Sequence, residues 1–159
     1  MNKNEFINSK ICKNPRDVKF SRMLAYWRFK AEKIVFLHGD FDLLHFGNIK
    51  LLTQAAEYGT VLIVGINNTG KEYIHDAYER AFNVAALHYT DYVIFNNFEK
   101  STDLIKLIKP DVFVHSGQQK LEKETENLLN EMNIKVKTFV CPEGFSNNEF
   151  KEKVLKFLK

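Results

Sequence analysis

Cysteine, proline and glycine are all scarce here. The two cysteines, Cys12 and Cys141, stand far apart with no C-x-x-C spacing, so no disulfide scaffold, zinc knuckle or redox pair is encoded, and unpaired thiols fit a reducing compartment. Seven glycines and three prolines are too few for a low-complexity or disordered chain. No run of 18 apolar residues occurs and the opening stretch MNKNEFINSK has no apolar h-region, so neither membrane spanning nor export is expected and the cytoplasm is the default. The 23 basic and 20 acidic residues are spread along the chain and leave a net charge of +3, which gives no basic stripe for a nucleic-acid backbone. What the chain does have is length and bulk. Its 159 residues are 45% hydrophobic with 14 Phe, 6 Tyr and 1 Trp, enough to bury a core in one domain without metals or disulfides.

The apolar residues come as short continuous runs alternating with helical patterns. Asn14-Pro15 signals a helix start, and Val18, Met23, Leu24, Trp27 and Phe29 form an apolar face that predicts a helix over about Arg16 to Lys30, with Trp27 in the core. Ile34-Val35-Phe36-Leu37 then reads as a strand covered on both faces. Helices are expected over Ile49–Tyr58, Asp76–His88, Ser101–Ile108, Leu121–Met132 and Asn147–Leu158. Further strands fall at Val61–Ile66, Tyr92–Phe95, Asp111–His115 and Val136–Val140. Five strands alternating with helices predict an α/β fold: a Rossmann-like, doubly wound, mostly parallel five-stranded sheet with an N-terminal helix. Residues 1–32 read as an N-terminal extension and helix, and 33–159 as the core of a single domain. In such sheets ligands bind beyond the carboxyl ends of the strands, which directs attention to the loops beginning at His38, Asn67, Asn96, His115 and Cys141.

The first of these loops carries the strongest pattern, GDFDLLHFGN from Gly39 to Asn48. Gly39 directly follows a buried strand, where a missing side chain lets backbone approach a ligand, and Gly47 stands where a helix begins. His45 and Asn48, at i and i+3, share a face on the first turn, and the free N–H groups and dipole there attract phosphate. Taken alone, the same residues are also what two turn glycines, a helix cap at Asn48 and a packed histidine would look like.

KIVFLHGDFDLLHFGNIKLL resembles the G-x-F-D-x-x-H-x-G-H signature of the cytidylyltransferase-like nucleotidyltransferases. The surrounding segments, from AYWRFKAEKIVF through VLIVGINN, ERAFNVAALHYTDYVIF and DLIKLIKPDVFVHSG to PEGFSNNEF, are similar to the adenylyltransferase part of the ADP-heptose synthases. The resemblance implies transfer of a nucleotidyl group from an NTP, ATP favoured over CTP, to a small phosphorylated acceptor such as a sugar phosphate. Pyrophosphate is released and Mg²⁺ is bound with the NTP rather than by the protein alone. It makes His45 and Asn48 the catalytic pair. Gly39, Asp40, Phe41, Asp42, Gly47, Arg80, Ser146 and Asn147 become nucleotide- and phosphate-binding, with Asp42 organising the loop. Asn67, Lys71, His115, Ser116 and Gly117 are candidates for the acceptor. Relatives commonly form homodimers. Arg80 also reads as a solvated helix arginine paired to Asp76 or Glu79, Lys71 as an ordinary exposed lysine, and Ser146 as an N-cap.

The chain departs from the family pattern at its loops. Asn48 replaces the second histidine and donates without positive charge, and Asp40 puts a carboxylate where a small neutral residue is usual. The K-G-x-x-R-P element is missing after the second strand, K-G-G-D has become His115-Ser116-Gly117-Gln118, and S-T-T has become Ser146-Asn147-Asn148. The scaffold pattern is kept and the ligand-facing loops are changed. A second expectation therefore stands beside catalysis: an impaired member acting as a nucleotide-binding or protein-interaction module.

Overall fold

A computed structural model describes residues 1–68, 72–98, 100–117 and 120–158, with only the backbone at Ser101. Helix α1 (Lys3–Ser9) and strand β1 (Ile11–Cys12) precede α2 (Val18–Phe29) and β2 (Ile34–Gly39). The chain then alternates through α3 (Phe46–Ala56), β3 (Val61–Asn67), α4 (Ala77–Ala85), β4 (Tyr92–Asn96), α5 (Ser101–Ile108), β5 (Val112–His115), α6 (Lys123–Glu131), β6 (Lys135–Thr138) and α7 (Asn147–Phe157).

The strands form one parallel sheet in the order β1-β4-β3-β2-β5-β6. Period-2 alternation sends successive residues of each strand to opposite faces. On one face Val35, Leu37, Val64 and Val112 pack with Leu52 and Ala55 of α3 and Ala81 and Val84 of α4. On the other, Ile34, Phe36, Ile63 and Phe113 pack with Phe20, Leu24 and Trp27 of α2, Leu104 and Ile108 of α5 and Leu129 of α6. Helices on both faces are what right-handed crossovers produce, so the sheet is doubly wound as expected. Trp27 lies in this core, edge-on to Tyr92 with ring centroids 5.5 Å apart.

Two aspartates anchor the amino ends of the central strands. Asp111, before β5, accepts the Ile34 N–H at 2.8 Å, and Asp91, before β4, accepts the Leu62 N–H at 2.8 Å.

Six strands form where five were expected. The extra one, β1, is only two residues long and shows no apolar run, yet it adds to the sheet by pairing with β4, and Val93 N–H donates to Lys10 C=O at 2.9 Å. Residues 1–32 therefore contribute two helices and, at Ile11–Cys12, an edge strand of the sheet. Helix α3 starts earlier than Ile49 because His45 caps it, not Asn48. Strand β6 starts one residue earlier and ends at Thr138, short of the expected Val140, and lies exposed at the sheet edge.

Candidate functional site

Strand order reverses between β2 and β5, and a cleft of ≈ 220 Å³ opens at their carboxyl ends. Gly39 and Asp40 line it from the loop after β2, Gly47 and Asn48 from the start of α3, Asn67 from the end of β3, His115 and Ser116 from the end of β5, and Asn147 from α7. A second cleft, of ≈ 410 Å³, shares Asp40, Phe41, Asn48 and Asn147 with it and adds Asp42, His45, Tyr73 and Lys151. The first turn of α3 lies between the two, at the switch point where doubly wound sheets bind ligands.

His45 is the N-cap of α3 and is 8% exposed. Its Nδ1 accepts the Gly47 N–H at 3.1 Å, which leaves the ring proton on Nε2, and Nε2 donates to Asn147 Oδ1 at 2.6 Å. The ring stacks on Phe150 of α7 with centroids 4.7 Å apart. The side chain expected to meet a phosphate therefore has its ring donor resting on an α7 amide. Asn48 completes a capping box: its Oδ1 accepts the His45 N–H at 3.3 Å. Gly47 has a packing reason of its own. A Cβ there would lie 2.1 Å from the Phe145 carbonyl oxygen, so the glycine admits the segment leading into α7.

The F-D pair builds the loop. Phe41 adopts φ 49°, in the left-handed region, and is buried in the core at the cleft floor, so its side chain is structural. Asp42 accepts the N–H groups of Ile74 and His75, both at 2.9 Å, and its own carbonyl meets His75 Nδ1 at 2.6 Å. As expected, it organises the loop. Each of its carboxylate oxygens accepts one of those backbone N–H groups.

Arg80 is 0% exposed, so it is not a solvated arginine paired to Asp76 or Glu79. It donates instead to three carbonyls: Nη1 to Asp40 at 2.7 Å and to Asn67 at 2.8 Å, and Nε to His75 at 3.2 Å. The guanidinium carbon sits 3.8 Å from the centroid of the Tyr73 ring. One buried cation ties together the backbones after β2, at the end of β3 and before α4.

Asp40 does not stand alone either. Its Oδ1 accepts from Asn67 Nδ2 at 3.0 Å and from the Tyr73 hydroxyl at 3.3 Å. On the β5 side, His115 Nδ1 accepts the Gly117 N–H at 3.3 Å, and burial lowers the pKa of His115. Gly117 has φ 70°, and a Cβ there would lie 2.5 Å from the Phe139 carbonyl oxygen, so it is required by the turn. Ser146 caps α7 in a capping box with Glu149 and lines neither cleft; Asn147, the next residue, is the one α7 delivers to the site. The Ser146 hydroxyl, then its N–H, then the Gly144 N–H hold the Glu149 carboxyl below its ordinary pKa. Lys71 lies outside the described residues.

His38 was missed by the motif, which begins one residue later. It lines the cleft, its Nδ1 lies 3.2 Å from Asn67 Oδ1, and burial lowers its pKa against the opposing hydrogen bond to Asn67, with a smaller lowering by the nearby His115. Its position at the end of a buried strand, facing the switch point, was the available signal.

A cytidylyltransferase-like family model matches residues 36–153. The chain is 32% identical over 142 residues to the bifunctional protein HldE of Campylobacter jejuni subsp. doylei, covering 83% of this chain and 30% of that protein. Against the bifunctional protein HldE of Helicobacter pylori it is 32% identical over 149 residues, covering 89% of this chain and 32% of that one. The chain therefore spans about a third of the length of these curated relatives. The crystal structure of a lipopolysaccharide core biosynthesis protein from Thermoplasma volcanium superposes with a TM-score of 0.60 at 26% identity, over 69% of this chain and 96% of that one.

Proposed function

Because the chain belongs to the cytidylyltransferase-like family, we propose that it is a nucleotidyltransferase that uses an NTP, ATP in preference to CTP, and a sugar phosphate as acceptor. The observation that carries this reading is the start of α3, capped by His45 and opening on the clefts where strand order reverses. The resemblance to the ADP-heptose synthases motivates the choice of ATP and of a sugar phosphate.

In the reaction an acceptor phosphate oxygen attacks the α-phosphorus of the NTP. The new P–O bond forms as the bond to the bridging oxygen of the β-phosphate breaks, and pyrophosphate leaves. The protein makes no covalent bond. It holds attacker and leaving group in line and stabilises the charge on the phosphates. His45 Nε2–H exchanges its Asn147 acceptor for a phosphate oxygen, while the Asn48 amide and the start of α3 add neutral donors. Asn67, His115 and Ser116 remain the residues best situated for the acceptor or the nucleoside, since all three line the cleft.

Mg²⁺ is expected to arrive on the triphosphate and neutralise part of its charge. Among the described residues no group of three or more His, Cys, Asp or Glu side chains forms a metal site of its own. Asp40 is the carboxylate that lines both clefts, a position where a cation must offset its repulsion of phosphate.

The engaged state of His45 and the carboxylate of Asp40 favour a second reading, a relative that binds nucleotide without turnover. A panel of ATP, CTP, GTP and UTP with Mg²⁺, with and without sugar phosphates, separates the two by thermal shift and pyrophosphate release. Catalysis predicts Mg²⁺-dependent release that His45→Ala abolishes. Stabilisation by nucleotide without release supports the second reading, and neither effect in folded protein sinks both.

A further inference from the structure

The polar side chains at the ends of β2, β3 and β4 form one connected chain whose direction is set at Asp40. A carboxylate accepts, so the Asn67 Nδ2 that lies 3.0 Å from Asp40 Oδ1 is the donor. The Asn67 amide oxygen then faces the other way and accepts twice, from Asn96 Nδ2 at 3.3 Å and from His38 Nδ1 at 3.2 Å. Nδ1 of His38 therefore carries a proton. Packing between the rings of Phe36 and Phe113, whose centroids lie 6.0 and 5.9 Å from that of His38, disfavours a second proton on the imidazole. The lone pair is left on Nε2, and among the described residues no donor reaches it.

His38, which lines the cleft and is half-buried, thus presents an oriented acceptor there. A phosphate there would meet a lone pair, whereas a neutral N–H donor would be matched. Phe113 and Phe139 line the cleft with apolar surface, while the donors of the helix start sit at α3. A planar base bearing an amino group fits both features.

We propose that His38 determines base specificity: its Nε2 accepts a hydrogen bond from the exocyclic amino group of adenine or cytosine and disfavours a keto oxygen in the same place. This rests on the nucleotide reading above and adds which edge of the base is read and by which atom. An oriented acceptor matched by a donor, against the same acceptor facing another oxygen, separates ligands by roughly ten- to a hundredfold.

The test is equilibrium binding of ATP against ITP, and CTP against UTP, to wild-type protein and to the His38→Leu and His38→Gln variants, each checked for cooperative unfolding. Wild type is expected to bind ATP at least tenfold more tightly than ITP, and CTP at least tenfold more tightly than UTP. In His38→Leu the ratios should collapse to within about threefold. In His38→Gln, whose side-chain oxygen can accept, the preference should return in part. Equal binding of ATP and ITP by wild type overturns the proposal while leaving nucleotide binding intact. So does an unchanged preference in His38→Leu. Failure of every nucleotide to bind folded wild type overturns the nucleotide reading itself, and this inference with it.

Discussion

Replacing Arg80 with methionine tests whether this arginine is a buried clasp or a ligand for phosphate. Methionine keeps the length and much of the apolar stem but removes three hydrogen bonds from a charged donor, to the carbonyls of Asp40, Asn67 and His75. Hydrogen bonds to charged groups contribute about 1.5–3 kcal/mol each, a gross loss of about 5–9 kcal/mol. Burying the guanidinium at 0% exposure costs several kcal/mol, and that cost disappears with it. Three buried carbonyls are meanwhile left without their partner. The net expectation is a loss of about 3–5 kcal/mol, the range seen when one member of a buried charged pair is deleted. For a chain of this size that lowers Tm by about 6–20 °C. Thermal and urea unfolding without ligand measure it, and Arg80→Lys should recover little, since an ammonium cannot reach three divergent carbonyls from one planar fork. Unfolding within about 1 kcal/mol of wild type, together with a large loss of nucleotide affinity, would refute the clasp and return Arg80 to the ligand.

Three further perturbations probe the loops around the cleft. Gly47→Ala places a Cβ 2.1 Å from the Phe145 carbonyl oxygen, so the segment entering α7 must shift; a loss of about 1–3 kcal/mol is expected in chemical unfolding. Asp42→Ala removes the acceptor of the Ile74 and His75 N–H groups, and their amide hydrogen exchange should accelerate by roughly tenfold or more while exchange in the central strands is unchanged. The folded-state pKa of His38 lies below its ordinary value because of burial, so between that lowered pKa and about 6.5 the unfolded chain binds the extra proton and the folded chain does not. Stability should therefore fall as pH drops through this window. His38→Gln should flatten the slope of unfolding free energy against pH there; an identical slope would show that His38 contributes nothing to it.

The parallel sheet was legible because a strand covered on both faces writes itself as a continuous apolar run, as in Ile34–Leu37 and Val61–Ile66. The site's location followed from the same runs, since the loop with His45 comes directly after the first of them. What stayed hidden depended on partners distant in sequence. An arginine in ERAF looks like any surface arginine until residues 40, 67 and 75 bring their carbonyls around it. Nothing local to Gly47 shows that Phe145 approaches it. The tautomer of His38 is set by Asn67, whose amide is itself oriented by Asp40, and no local pattern records that chain. Strand β1 escaped for a simpler reason: two residues form no period.

The most direct test of nucleotidyl transfer at this cleft is ³¹P NMR of folded protein with ATP, Mg²⁺ and a sugar 1-phosphate. Attack at the α-phosphorus predicts that the sugar phosphate signal is replaced by coupled diphosphate-diester resonances and an equimolar pyrophosphate signal, with no change in a matched sample of His45→Ala. A spectrum in which ATP and acceptor persist, or in which ADP and a transferred γ-phosphate appear instead, would contradict it.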